Sequence, residues 1–324
     1  MALFLITGIG GFIGSSLARA LLARGEHVRG IDNFSTGRRE NLHEIRERID
    51  FREADILDLD AMHAACAGVD FIFHEAAIPS VPKSVLDPLG SNRANIDGTV
   101  NILVAARDAK VKRVVYAASS SAYGDTPTLP KHEAMKPDPI SPYAVAKLAS
   151  EHYMISFYRC YGLETVSLRY FNIFGPRQDP SSPYSGVLAK FITCMLRGEQ
   201  PTIFGDGEQS RDFTYIDNAV DANLLAATAP AERAAGQVFN VATGRRVTLN
   251  ETFHILQGLT AYSGPAAYGP ERGGDIKHSL ADISRAEAAL AYKPKVDFEE
   301  GLRRTVEWYR EQMADLDLKN ADKR

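Results

Sequence analysis

Tyr143 and Lys147 bracket the run Tyr-Ala-Val-Ala-Lys, four residues apart. On a helix that spacing puts a phenol and an ammonium on one face, a turn apart. A free phenol titrates near ~10 and is a poor base at neutral pH. A neighbouring ammonium and the positive ring of a nicotinamide both favour the phenolate. Lowering the phenol by about three units takes ~4 kcal/mol, which two close cations in a desolvated site supply. Among 13 tyrosines such a pair says little alone. Ser119-Ser120-Ser121 changes the balance, because it ends an apolar β-rich run, and open parallel sheets bind ligands beyond the carboxyl ends of their strands. Together these groups suit hydride transfer, in which a hydroxyl-bearing carbon loses hydride while Tyr143 takes the proton.

A hydride acceptor needs a seat. Thr7-Gly8-Ile9-Gly10-Gly11-Phe12-Ile13-Gly14 follows the first predicted strand and opens the first helix. Gly8, Gly11 and Gly14 permit a tight turn, close backbone approach to a pyrophosphate, and close helix–strand packing. The pyrophosphate then rests on the positive helix N-terminus, beside Phe12 and Ile13. Asp32 follows the second strand at the distance expected of a carboxylate that accepts both ribose hydroxyls. It would repel a 2′-phosphate, so NAD is expected over NADP. Arg38 and Arg39 could welcome that phosphate, but read more simply as solvated residues at a helix start.

The elements that must position these groups are an alternating series. Leu3–Thr7, His27–Ile31, Asp50–Glu53, Asp70–Phe73, Arg113–Ala117 and Glu164–Arg169 read as strands; Phe12–Ala23, Asp97–Ala109 and a segment from Pro142 read as helices. Strand, helix, strand in repetition predicts a Rossmann-type, doubly wound parallel sheet in the α/β class. The 324 residues suggest about two units. We expect a dinucleotide-binding domain over 1–171, with a segment near 213–242 returning to it. A smaller substrate lobe takes 172–212 and 243–324. Thr248 with Glu251, and Asp297 with Glu300, are capping-box signatures. The polar tail from Asp315 is expected to fray.

Composition is that of an ordinary globular chain, 45% hydrophobic and 24% charged with net charge -4. No basic stripe invites nucleic acid, and no apolar run spans a membrane. Three scattered cysteines without a CxxC pair suit a reducing, cytoplasmic setting. No metal site is expected.

With these residues in view, the chain resembles the extended short-chain dehydrogenase/reductases, and within them the UDP-hexose 4-epimerases, most closely the UDP-N-acetylglucosamine branch. The resemblance runs through TGIGGFIG, IDNFSTG, HEAAIPSVPKS, AASSSAYGD, SPYAVAK, RYFNIFGPRQDP, GDGEQSRDF and PERGGDIKHSLADIS. It implies that Tyr143 is the base, Lys147 its electrostatic partner and Ser119 the catalytic hydroxyl. Asp32, Asn33, Ser35, Thr36 and Gly37 would line the adenosine ribose, and Asp55 with Ile56 the adenine. Ala76, Ala77, Asn95 and Tyr170 would be further NAD contacts. Asn172, Arg211, Arg272 and Asp275 would clamp the nucleotide sugar, with Phe204 beside uracil and Ser80, Ser120 and Ser121 near the sugar. Two arginines suit a diphosphate, since forked guanidiniums match its oxygens.

The implied reaction oxidises carbon 4 of a UDP-sugar to a ketone and then reverses that step on the other face. Related dehydratases and decarboxylases carry acidic residues just after the catalytic Ser or Thr; Ser120 and Ser121 stand there instead. Ser279 falls where members restricted to unacetylated sugars have a tyrosine, so UDP-GlcNAc/UDP-GalNAc is expected alongside UDP-Glc/UDP-Gal. A UDP-glucuronate 4-epimerase is the nearest alternative, weakened by Asp179, which would repel a uronate. A net oxidoreductase releasing NADH is the other. The resemblance also implies a homodimer, formed through the helices near Asp97–Ala109 and Tyr143–Tyr161.

Overall fold

The computed structural model describes residues 1–180, 186–271 and 277–321. Six strands of the central sheet come from the first half of the chain: β1 (Leu3–Thr7), β2 (His27–Asp32), β3 (Asp50–Glu53), β4 (Phe71–His74), β5 (Arg113–Ser119) and β6 (Glu164–Tyr170). Four short strands follow: β7 (Ile173–Phe174), β8 (Thr202–Phe204), β9 (Ser210–Arg211) and β10 (Thr214–Tyr215). Then come β11 (Gln237–Val241), β12 (Val247–Thr248) and β13 (Ala267–Gly269).

The main sheet has seven parallel strands in the order β11-β6-β5-β4-β1-β2-β3. The strand order reverses between β1 and β4, and the crevice beyond their carboxyl ends is where doubly wound sheets take ligands. Register lines up what borders it: Thr7 lies opposite His74, Ser119 opposite Tyr170, and Tyr170 opposite Val241. β11 returns to the sheet beside β6 after the helix Ile216–Thr228.

Period-two alternation sends neighbouring side chains of one strand to opposite faces. Phe4 and Ile6 of β1 enter a core with Leu17, Leu21, Val115 and Phe239. Leu5 enters the other core, with Ile72, Leu103, Val114 and Met154. Both faces are thus covered by helices, as a parallel sheet requires. The small strands pair off separately, β7 with β10, β8 with β13 and β9 with β12.

Helix starts follow local chemistry. Ser141 accepts from the Ala144 N–H at 3.2 Å, Pro142 fills the first turn, and the helix Pro142–Tyr161 ends on Gly162 at φ 71°. Thr248 and Glu251 make a reciprocal capping box at helix Leu249–Thr260. The second expected box forms only half-way. Asp297 accepts from Glu300 N–H at 2.9 Å, but the Glu300 carboxylate turns to Arg303 and Arg304, at 2.8 and 2.7 Å. Two guanidiniums one turn on outcompete a single backbone N–H. The tail from Asp315 continues helix Phe298–Ala321. The helix expected from Asp97 begins at Gly98, after a wide turn at Arg93–Asp97 that places Asn95 inward.

Candidate active site

The glycine loop is shaped by backbone. Gly8 has φ +70°, and a Cβ there would lie 2.8 Å from the Ala76 Cα and backbone N. A Cβ on Gly14 would lie 2.3 Å from the Gly8 carbonyl oxygen, so helix Phe12–Ala23 packs against the loop only because residue 14 is glycine. Gly11 caps that helix without a side chain, and its first turn holds no acidic residue. Its N–H groups and dipole therefore face the crevice available to an anion.

Asp32 ends β2 with its carboxylate already oriented. It accepts from Gly10 N–H at 2.8 Å and Phe34 N–H at 2.7 Å. Burial pushes its pKa up, while those two N–H groups and Arg39 oppose the rise. A Cβ at Gly37 would sit 2.8 Å from Asp32 Oδ2, so the loop Asn33–Gly37 wraps the carboxylate closely. Within it Asn33 orders the turn by accepting from Ser35 N–H at 3.0 Å, and Ser35 and Thr36 are exposed. Asn33 also donates to exposed Asp55 at 2.8 Å, and Ile56 is buried beneath. Arg39 is committed to Glu53 through two contacts of 2.7 and 2.8 Å and stacks on Phe34. Arg38 pairs with Asp179 at 3.2 Å. Both arginines thus have acidic partners beside the carboxylate that would repel a 2′-phosphate.

At the end of β4 a chain of hydrogen bonds fixes the next loop. Ala76 N–H donates to Thr7 Oγ1 at 3.1 Å, and Thr7 bonds His74 Nδ1 at 2.7 Å. His74 Nε2 lies 2.9 Å from Thr99 Oγ1, which donates to the Asn95 carbonyl at 2.6 Å. Thr99 therefore accepts from an Nε2–H, which makes Nδ1 the acceptor. Burial holds His74 neutral, with its pKa pulled down to about 3. Asn95 acts within the protein: its Oδ1 accepts from Ile78 N–H at 2.9 Å, and its amide nitrogen reaches Ser91. It orders the segment after Ala76 and Ala77 and is 1% exposed.

Ser119 sits where β5 stops. Its Oγ accepts from Ser121 Oγ at 2.8 Å and Ser121 N–H at 3.2 Å, so its own hydrogen is left to donate, and Ser119 opposes the rise of the Tyr143 phenol. Half-buried Ser120 opens the same short turn. Tyr143 occupies the second position of its helix, and its N–H is taken by Ser84 Oγ at 3.1 Å. Lys147, one turn on, donates to the Ala117 carbonyl at 2.7 Å and lies over the Tyr116 ring.

Burial pushes the Tyr143 phenol up to about 12, opposed by Ser119, and pulls Lys147 down to about 8, opposed by the charge of Glu75. Positive charge placed beside the phenol would oppose its rise.

On the other side of the crevice a cavity of about 240 Å³ is lined by Asn172, Gln178, Phe204, Arg211, Phe213 and Leu249. Asn172 has φ 40° and donates to the Asp212 carbonyl at 3.1 Å. Arg211 reaches the carbonyls of Ser210 and Lys277. Ser279 N–H bonds the Ser210 carbonyl at 3.0 Å, which fixes it beside β9. Ser80 is buried and caps helix Val81–Leu86 by accepting from Lys83 N–H at 3.2 Å, so its hydroxyl is turned to the helix. Asp179 meets Arg38 at the cofactor loop. Arg272 and Asp275 lie outside the described residues.

Sequence reasoning passed over Glu75. It follows His74 on β4, and its Oε1 accepts from Tyr170 O–H at 3.0 Å, while Asn223 donates to that same Tyr170 oxygen at 2.7 Å. Two titratable residues closing an apolar strand were the available signal.

Glycine cradle, oriented carboxylate and the Ser–Tyr–Lys set define a dinucleotide-dependent site for alcohol–ketone chemistry, and the cradle fits NAD. Residues 4–242 match the NAD dependent epimerase/dehydratase family, and the chain belongs to it. It is 40% identical over 310 residues to a UDP-glucose 4-epimerase of Mycolicibacterium smegmatis, covering 94% of this chain and 98% of that one. A UDP-N-acetylglucosamine 4-epimerase of Methanobrevibacter ruminantium, solved with UDP-N-acetylmuramic acid, superposes with TM-score 0.91 at 43% identity, covering 96% of this chain and 99% of that one. A UDP-glucose 4-epimerase of Thermotoga maritima with UDP-glucose gives 0.91 at 39% identity, with the same coverage.

Proposed function

We propose that this protein is a 4-epimerase of UDP-sugars, acting on UDP-GlcNAc/UDP-GalNAc, UDP-Glc/UDP-Gal or both through a transient 4-ketone. The observation that carries it is Ser119 at the end of β5, whose side chain holds the Tyr143 phenol down, with Lys147 one turn on from Tyr143 and serines, not a carboxylate, in the following turn. Tyr143 takes the proton of the sugar hydroxyl and returns it. Ser119 donates to the Tyr143 oxygen and favours the phenolate, and Lys147 supplies positive charge. NAD, when bound, supplies the hydride acceptor and donor; Gly8, Gly11, Gly14 and Asp32 would hold it.

Asn172, Phe204 and Arg211, together with Arg272 and Asp275, would anchor UDP while the sugar turns over. Ser279 leaves room for an N-acetyl group. We further assign a dinucleotide-binding core through residue 171, which regains 213–242, and a substrate lobe from the rest.

The protein is proposed to work in the cytoplasm as a homodimer. Val85, Leu86 and Leu89 are 62%, 79% and 73% exposed, and Val145 and Tyr153 on the helix of Tyr143 are half-exposed. An apolar face of this kind favours a second copy. The epimerase reading is tested by incubating the purified protein with UDP-GlcNAc or UDP-Glc and following absorbance of NADH. Interconversion without NADH build-up is expected; steady NADH release would make it a net oxidoreductase.

A further inference from the structure

Arg38 and Arg39 follow directly on the loop that wraps the Asp32 carboxylate. Arginines near an adenosine ribose are what the 2′-phosphate of NADP would pair with. What the two guanidiniums face therefore bears on which dinucleotide the cradle takes.

Arg39 is held on two sides. Its Nη2 donates to both carboxylate oxygens of Glu53, at 2.7 and 2.8 Å, and its guanidinium carbon lies 4.1 Å from the centre of the Phe34 ring. That ring is itself fixed, since a Cβ on Gly10 would lie 2.8 Å from its Cε1, and its centroid is 5.5 Å from that of Phe51. Glu53 ends β3 directly opposite Asp32 in the parallel register, so two carboxylates stand on adjacent strand ends.

Arg38 is tied to another part of the chain. Its backbone N–H donates to the Gly10 carbonyl at 2.9 Å, which the Asn41 amide also reaches at 2.9 Å, so its main chain is pinned to the glycine loop. Its guanidinium meets Asp179 at 3.2 Å and Glu40 at 3.6 Å.

We propose that Glu53 and Asp179 are specificity-determining residues for the dinucleotide: by engaging Arg39 and Arg38 they deny the 2′-phosphate of NADP its cations and leave Asp32 to select NAD. The inference rests on the dinucleotide cradle and not on the epimerase reading. To meet a phosphate, Arg39 would have to leave Glu53 or bring that carboxylate's charge against the phosphate, and Arg38 stands in the same relation to Asp179. Both pairs are partly exposed to solvent, so each shifts the balance severalfold rather than by orders of magnitude.

The test uses holoenzyme incubated with an equimolar excess of isotope-labelled NAD and NADP until the labelled content stops rising. After desalting, the retained dinucleotides are released with acid, and the ratio of labelled NADP to labelled NAD is read by mass spectrometry. For Glu53→Gln we expect that ratio to rise about fivefold over the native protein, and for Asp179→Asn about threefold. The two together should give roughly fifteenfold, as for independent pairs. Adding Arg39→Ala to Glu53→Gln should return the native ratio, because the gain comes through the released guanidinium.

A gain that persists without Arg39 would trace the effect to repulsion by Glu53 alone and overturn the proposal. Unchanged ratios in the single variants would overturn it too. If Glu53→Gln does not fold, Asp179→Asn with and without Arg38→Ala decides by the same reading. A native protein that takes up neither dinucleotide would overturn the cradle and this inference with it. One that retains NAD yet interconverts no UDP-sugar would overturn the epimerase reading and leave this one standing.

Discussion

Around the glycine loop the site is made of backbone, whereas around the cavity at Phe204 it is made of side chains. Gly8 and Gly14 leave no room for a Cβ, and Asp32 is oriented by main-chain N–H groups. Across the crevice, Asn172, Phe204 and Arg211 project from short strands and connecting segments. A backbone-built cradle tolerates almost no variation and suits one invariant dinucleotide. A pocket built of side chains can be retuned by single substitutions, as discrimination among ligands would need.

Changes that break this contrast should follow it in size. The Tyr143→Phe variant removes the proton acceptor itself, and interconversion should fall about 10³-fold while retained NAD, read by absorbance of the purified protein, is unchanged. Gly14→Ala strikes the cradle: with a backbone oxygen 2.3 Å from the new Cβ, we expect about 1–3 kcal/mol of lost stability in denaturant titration and protein that purifies without NAD.

Arg211→Ala strikes the other side. KM for the UDP-sugar should rise about 10–100-fold with retained NAD untouched, as for a charge-assisted phosphate contact. Asp32→Asn should weaken NAD about tenfold by equilibrium binding and narrow the preference over NADP. Ser279→Tyr gives the finest contrast, suppressing turnover of the N-acetyl pair while sparing UDP-Glc. Equal loss on both pairs would remove Ser279 from the specificity pocket.

The same contrast explains what could be read from the sequence. The glycine loop, Asp32 and the Tyr143–Lys147 pair are local patterns whose spacing states their geometry, and the alternation of strands and helices led to the parallel sheet. Interactions between distant segments were not legible. Glu75 and Tyr170 are 95 residues apart and meet only because β4 and β6 flank β5. Arg38 reaches Asp179 across 141 residues, a pairing that spacing does not show. The capping role of Ser80 was not legible either, since it depends on where helix Val81–Leu86 begins. The burial that raises the phenol of Tyr143 was likewise not legible, because desolvation is a property of the assembled core.

The central claim is that the sugar's carbon 4 gives up hydride and regains it within one binding event, Tyr143 moving the proton, with the hydride carrier being the NAD that Gly8, Gly11, Gly14 and Asp32 would hold. The most direct measurement supplies a mixture of UDP-GlcNAc deuterated at carbon 4 and unlabelled UDP-Glc, with no NAD added, and reads the label in each separated product by mass spectrometry. The account predicts epimerised product that keeps its deuterium at carbon 4, with none passed to the other sugar. Loss of the label to solvent, or its transfer between sugars, would contradict it.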